Sequence, residues 1–300
     1  MQSFAILVSC FVLGLLLRRS GRLPESAAAS LNGFIIHVSL PALTLHTLRH
    51  LHFDASLAAP LAMAWVLFGA GAAFFFLAQR AFGWSSSTTG ALILTGALGN
   101  TSFVGLPMIE CFFGREHLGL GILIDQLGTY VVLSTVGLLL AATLSAGELT
   151  LRAVARRVFG FPPFLAVLLA LATAGVSLPQ WADGALARLG ETLAPLALFS
   201  VGYQLRFAAL RSRWRPLAAG LGFKLLAGPL LVLLVIASIW GLDGPAARIT
   251  VFEAAMAPMI GGAIVAVEHK LDAELATLML GIGIPLSFLT VPAWSLLLAT

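Results

Sequence analysis

The sequence predicts an all-α membrane protein: ten transmembrane helices in two inverted five-helix repeats, with crossed, broken helices 4 and 9. Three observations carry that prediction. Apolar runs long enough to cross a bilayer recur along the whole chain, basic residues alternate from loop to loop, and helix breakers recur at matching places in the two halves.

The apolar runs come first because composition admits little else. Of 300 residues, 59% are hydrophobic and 10% charged, where a soluble domain carries about 25% charged residues. The mean hydropathy is +1.00. Runs bounded by charged or turn residues place spans at 2–17, 27–47, 57–79, 87–114, 118–144, 163–179, 184–205, 216–240, 249–268 and 273–298, most of them near the ~20 residues that cross a hydrocarbon core. The first run has no basic residue ahead of it and is followed by Arg18, Arg19 and Arg22, so it reads as a retained helix and not a cleaved signal. Cys10 and Cys111 both lie in apolar runs and share no metal-ligand spacing; neither a disulfide framework nor a metal site is expected, and no cofactor.

The net charge of +4 belongs to topology and not to a nucleic-acid partner. One set of alternate loops holds Arg18, Arg19, Arg22, Arg80, Arg152, Arg156, Arg157, the arginines between Arg206 and Arg215, and Lys270. The other set holds only Arg49, Arg115, Arg188 and Arg248, and Lys224 falls inside a span. Cytoplasmic loops carry the excess of Lys and Arg, so both termini are expected outside the cell membrane, on the periplasmic side. An omitted or invented span would scramble this alternation.

The repeat has an offset of about 150 to 155 residues. Pro41 in Leu40-Pro41-Ala42-Leu43 matches Pro195 in Ala194-Pro195-Leu196-Ala197, Pro107 matches Pro258, and Leu133-Ser134-Thr135-Val136 matches Phe288-Leu289-Thr290-Val291. With an odd number of spans in each half, the second copy enters the membrane inverted, an arrangement typical of secondary transporters. The expected organisation is a first repeat at 1–145, a cytoplasmic connector at 146–162 and a second repeat at 163–300.

Spans 4 and 9 hold the breakers at membrane depth: Gly99-Asn100-Thr101-Ser102-Phe103-Val104-Gly105-Leu106-Pro107 and Ala257-Pro258-Met259-Ile260-Gly261-Gly262. Proline removes a backbone donor and clashes with the preceding turn, and unwound backbone persists in hydrocarbon only where protein or a wet cavity surrounds it. Two broken helices that cross would turn the free N–H groups and positive dipole ends of their second halves toward the centre, a fit for an anionic group without any arginine. The competing reading, prolines that merely kink packed helices, suits Pro41, Pro195 and Pro229 better.

At these residues the chain resembles the auxin efflux carrier family, which includes plant PIN-type auxin carriers and bacterial permeases, some of them associated with malonate. Asn100-Thr101 followed by Gly105-Leu106-Pro107 is similar to the Asn-Thr, Gly-Ile-Pro pattern of the first crossover. Glu253-Ala254-Ala255-Met256-Ala257-Pro258 is similar to the Glu-Ala-Ala-Met-Pro pattern of bacterial members, with Ala257 as an extra residue, and Asp125-Gln126 stands in the fifth span. The resemblance implies a scaffold of spans 1, 2, 6 and 7, a moving domain of spans 3–5 and 8–10, a homodimer, an elevator-like motion and a substrate carboxylate on Asn100. The connection at about 145–162 is short, as in compact bacterial members, which makes auxin itself an unsuitable substrate.

The expected substrate-binding set is Asn100, Thr101, Gly105, Pro107, Gln126, Pro258, Ile260 and Gly261, with a small organic anion as partner. Asn100 either holds the carboxylate or satisfies its own loosened backbone. Asp125, Glu253 and His37 are coupling candidates for a proton or sodium ion, because an ionisable group at membrane depth is costly unless paired, protonated or wetted. Asp125 and Glu253 also suit helix ends or the interface, and His37 also suits a bond to a neighbouring carbonyl. Gln126 and Tyr130 share a helix face at i, i+4. Lys224 reads as a side chain that snorkels to the cytoplasmic surface in preference to binding substrate; Glu110 and Glu191 read as helix-end residues, and Phe74-Phe75-Phe76 as lipid-facing or packing surface.

Other function classes fit less well. His-Glu-x-x-His, Gly-x-Ser-x-Gly and Gly-x-x-x-x-Gly-Lys are absent from the sequence, so an enzyme is not expected. A sodium/bile-acid-symporter-like carrier shares the crossed helices, and a channel or sensor on the same scaffold is a further alternative.

Overall fold

The structure, a computed structural model, describes residues 2–49, 57–145, 150–176, 178–205, 213–239, 241–242 and 244–299. Arg206 and Arg211, assigned above to a cytoplasmic loop, lie outside the described residues. Among those described, every regular element is helical.

The helices in order are α1 (Gln2–Ser20), α2 (Ala27–Leu48), α3 (Ala58–Phe82), α4 (Ser86–Gly96), α5 (Thr101–Phe112), α6 (Arg115–Leu144), α7 (Leu151–Phe159), α8 (Pro162–Ala172), α9 (Gln180–Glu191), α10 (Leu193–Gln204), α11 (Trp214–Ile239), α12 (Pro245–Ala254), α13 (Ile260–Glu268) and α14 (Ala273–Ala299). Five of them, α2, α3, α6, α11 and α14, are long and apolar enough to cross a membrane, and α7 with α8 forms a pair bent by 66°. This is a multi-pass membrane protein.

Three expected spans differ from a single helix. The fourth, 87–114, divides into α4 and α5, and the ninth, 249–268, into α12 and α13. The seventh, 184–205, begins earlier and breaks at Thr192, so Pro195 stands in the first turn of α10, where a missing N–H costs nothing. The stretch taken as a connector contains α7: Arg152 and Arg156 fall on one face four residues apart while Val154 and Val158 fall on another, and Gly160 and Pro162 end it. By contrast α14 runs through Pro285 and Pro292 without a break.

Several long helices contain a turn of the wider i→i+5 kind. Leu40 N–H bonds Ile35 C=O, Tyr130 bonds Asp125, Leu138 bonds Leu133 and Gly228 bonds Phe223. Such turns release backbone groups from the regular ladder and recur at functional positions. Pro41 accounts for the first and Pro229 for the last, since neither can donate to the carbonyl four residues back. At Pro229 the deprived carbonyl is that of Leu225, and the indole Nε1 of Trp294 donates to it at 2.9 Å.

The described residues fall into two compact units. One lies within Met1–Asp54, Ser102–Ile122 and Arg156–Leu205. In it α1 packs on α10 so closely that a Cβ on Gly14 would sit 2.1 Å from the Phe199 carbonyl oxygen, and one on Gly202 2.0 Å from that of Phe11. Small residues permit such helix contacts in lipid, where apolar bulk alone gives no preference for protein over tails. Polar pins add to it: Ser200 Oγ to Asn32 Oδ1 at 2.6 Å, Ser39 with Thr192 at 2.7 Å, and Tyr203 Oη to the Leu23 carbonyl at 2.7 Å.

The other unit lies within Ala55–Thr101, Leu123–Ala155 and Arg206–Thr300. It holds the main apolar core, with Phe75, Leu92, Leu94, Val132, Val265 and Met279 almost wholly buried. Of the phenylalanine run, Phe75 packs edge-on against Phe223, Phe74 stacks on the same ring, and Phe76 is exposed.

Candidate functional site

The two helix breaks meet inside the second unit. Gly99 and Pro258 face one another as an isolated antiparallel bridge. Asn100 N–H donates to the Ala257 carbonyl at 2.8 Å, and Met259 N–H donates to the Thr95 carbonyl at 3.1 Å. These bonds explain why the chain can leave the helix in an apolar interior: the groups freed from the ladder at one break satisfy those freed at the other. The extra Ala257 supplies the acceptor for Asn100. Close approach is also required, since a Cβ on Gly262 would lie 1.8 Å from the Leu94 carbonyl oxygen.

The first break is shorter than the sequence motif indicates. Residues 97–100 leave the helix, and α5 resumes at Thr101 through a wide turn spanning Thr101–Gly105. Pro107 therefore stands inside α5 and not at the break, and the residue that faces Pro258 across the bridge is Gly99. Pro107 stands two residues past that wide turn, as Pro41 and Pro229 stand past theirs. Gly105 lies at the end of the same turn. Both residues belong to the first unit, whereas Asn100, Thr101, Gln126, Pro258, Ile260 and Gly261 belong to the second.

Around the crossover the second unit gathers an ionisable cluster. Asp125, in the wide turn Ile124–Thr129 of α6, is buried and accepts from Thr101 Oγ1 and from Gln126 Nε2, each at 2.5 Å. Thr101 is thus committed to orienting Asp125. Glu253, one residue before the end of α12, is 0% exposed, and neither carboxylate oxygen has a hydrogen-bond partner among the described residues. The charges acting on it are those of Asp125 and Lys224.

Lys224 is where the sequence reading fails. It does not snorkel; it is 1% exposed, and its Nζ donates to the Ala254 carbonyl at 2.8 Å. That carbonyl is the last of α12. The other late carbonyls of the helix are already taken, since Ala255 N–H bonds those of Val251 and Phe252 and Met256 N–H bonds that of Glu253. An ammonium group there completes the helix end and lies in the negative field of its dipole. The signal available in the sequence was a lone lysine in the span preceding a break, five residues before Pro229.

The remaining candidates lie in the first unit. His37 is exposed, and its Nδ1 bonds the Gly33 carbonyl at 2.9 Å. Glu110 and Glu191 are joined by Arg115, at 2.8 and 3.0 Å.

A multi-pass helical protein whose broken helices pair through backbone bonds beside buried carboxylates has the makings of a membrane transport protein. Residues 1–295 match the model of the family described as membrane transport protein, and the chain belongs to that family, the auxin-efflux-carrier-like one to which the crossover motifs point. It is similar to an uncharacterized transporter of Methanothermobacter thermautotrophicus, with 31% identity over 96% of this chain and 94% of the relative. It is also similar to an uncharacterized transporter of Methanocaldococcus jannaschii, with 24% identity over 93% of this chain and 92% of the relative.

Proposed function

We propose that the chain is a secondary active transporter of small organic anions, such as malonate or other carboxylates, that binds its substrate at the crossover. The observation that supports this most is the backbone pairing of the two breaks, Asn100 to Ala257 and Met259 to Thr95. It leaves α13 beginning at Ile260 in the buried interior, with Ala263 the first N–H returned to the helix, on Met259. The N–H groups of Ile260, Gly261 and Gly262 are those a helix start leaves for an outside acceptor. Asn100, 4% exposed and immediately ahead of α5, adds an amide for a carboxylate.

In this reading the second unit carries the substrate, an elevator-type motion gives alternating access, ten spans form an inverted repeat, and the protein works as a homodimer in the inner membrane with both termini outside. It performs no covalent chemistry on its cargo. The test is a thermal-shift screen of purified protein against malonate, malate, other carboxylates and auxin. A small carboxylate raises the melting temperature of the wild type and raises it much less after Asn100→Ala; equal shifts in both proteins remove Asn100 from the site.

A further inference from the structure

The first unit contains a second candidate site, built from different chemistry. The C-terminal ends of α2 and α8 and the length of α9 line an open cavity of about 430 Å³, within the ~300–1,000 Å³ range of small-molecule sites. Its walls are apolar: Leu45, Leu169, Leu186 and Leu189 line it, with Trp181 at the edge. One charged side chain, Arg49, enters it.

Arg49 is poorly satisfied for a guanidinium with five donors. Its Nη1 reaches Thr173 Oγ1 only at 3.4 Å, and its Nη2 is buried without a hydrogen-bond partner among the described residues. Among the described residues, none that line the cavity carries a carboxylate. The acid nearby in sequence on α9, Asp183, is engaged by His46 Nδ1 at 2.9 Å. A half-buried guanidinium whose Nη2 is closed off from solvent beside an apolar wall is costly unless an anion completes it. The required ligand is therefore anionic at one end and apolar along its length.

Placement narrows the class. Arg49 closes the apolar α2 and Trp181 stands in the first turn of the amphipathic α9, and tryptophan and basic side chains at helix ends are those that meet lipid headgroups. Trp181 is 78% exposed and Leu169 53%, so the wall continues onto an outward apolar surface. We propose that this cavity binds one anionic glycerophospholipid, with its phosphate on the Arg49 guanidinium and an acyl chain along α8 and α9. Two parallel N–H donors on phosphate oxygens suit arginine better than lysine, and the one acid beside the lining among the described residues, Asp183, is held by His46.

The test is native mass spectrometry of the purified full chain, delipidated and then titrated with phosphatidylglycerol or phosphatidylcholine of identical acyl chains. The wild type retains one phosphatidylglycerol in preference to phosphatidylcholine. Arg49→Gln weakens that retention about fivefold, the weight of one basic residue against an anionic lipid, whereas Arg49→Lys keeps part of it and Arg188→Gln, on an exposed arginine, leaves it unchanged. Ala182→Trp, which fills the cavity and keeps the charge, loses both lipids. Equal retention by wild type and Arg49→Gln overturns the site, as does equal retention of the two lipids. A dimer mass that Arg49→Gln abolishes while lipid adducts persist overturns it in favour of a second copy of the chain.

Discussion

Lys224 Nζ donates to the Ala254 carbonyl at 2.8 Å, which sets an ammonium group on the end of α12 at the residue where that helix breaks. The same nitrogen lies 3.1 Å from where a Cβ on Gly99 would stand, so one lysine touches both arms of the crossover. It supplies the last acceptor of α12 with a donor and offers Glu253 a neighbouring positive charge.

That double role predicts non-additive energetics. Lys224→Met removes a charge-assisted hydrogen bond, about 1.5–3 kcal/mol, and leaves the Glu253 carboxylate without its counter-charge. Glu253→Gln relieves the second cost and not the first. In detergent, thermal unfolding of the double variant is expected to lie above that of Lys224→Met alone, with a coupling of at least ~1 kcal/mol. Strictly additive shifts would show that the two side chains do not interact.

A second lesson in orphaned carbonyls comes from α11. Pro229 has no N–H for Leu225, and Trp294 provides one at 2.9 Å. Trp294→Phe keeps an aromatic ring but loses the donor, with an expected cost of about 1–3 kcal/mol. Pro229→Ala in the same chain restores a backbone N–H and recovers part of the loss. If Trp294→Phe melts at the wild-type temperature, the indole bond contributes nothing.

These contacts show what the sequence could and could not announce. Apolar runs and their flanking charges marked α2, α3, α6, α11 and α14 to within a few residues, because span length and hydropathy are local properties. Gly99, Asn100 and Pro258 likewise marked the breaks, since glycine and proline act on their own backbone. The partner of a break is not local. Nothing near Ala254 in sequence indicates that Lys224 caps it, and nothing near Pro107 indicates that the helix resumes at Thr101 and leaves the break several residues earlier. Asp125 was visible as a costly charge, but its satisfaction by Thr101 across 24 residues was not.

Packing at the crossover gives a steric prediction. Gly262→Ala places a methyl 1.8 Å from the backbone oxygen of Leu94, which cannot rotate away, whereas Gly261→Ala meets only the Leu133 and Met259 side-chain ends at 3.1 and 3.4 Å. Overpacking of rigid neighbours costs typically about 1–3 kcal/mol or more. Gly262→Ala should lower the melting temperature clearly or abolish monodisperse expression, and Gly261→Ala should fall near wild type. Comparable behaviour of the two would mean that α4 and α13 do not approach as described.

An asymmetry between the two buried acids predicts that a proton is the coupling ion. Asp125 accepts from Thr101 and Gln126, so its oxygens are occupied by fixed donors. Glu253 has no such partner on either oxygen, and in a dry interior a carboxyl in that position is the one whose protonation state responds to what enters or leaves the site. The buried Lys224, whose Nζ bonds the adjacent Ala254 carbonyl, sets a basic group near that carboxyl and disfavours a second cation there. In proteoliposomes, uptake of the carboxylate identified by thermal shift should therefore follow an imposed proton gradient and ignore a sodium gradient. Glu253→Gln should retain carboxylate binding yet lose the response to pH, while Asp125→Asn should weaken binding by disturbing Thr101. Uptake by the wild type that requires sodium, or a Glu253→Gln protein that still follows the proton gradient, would take Glu253 out of the coupling step.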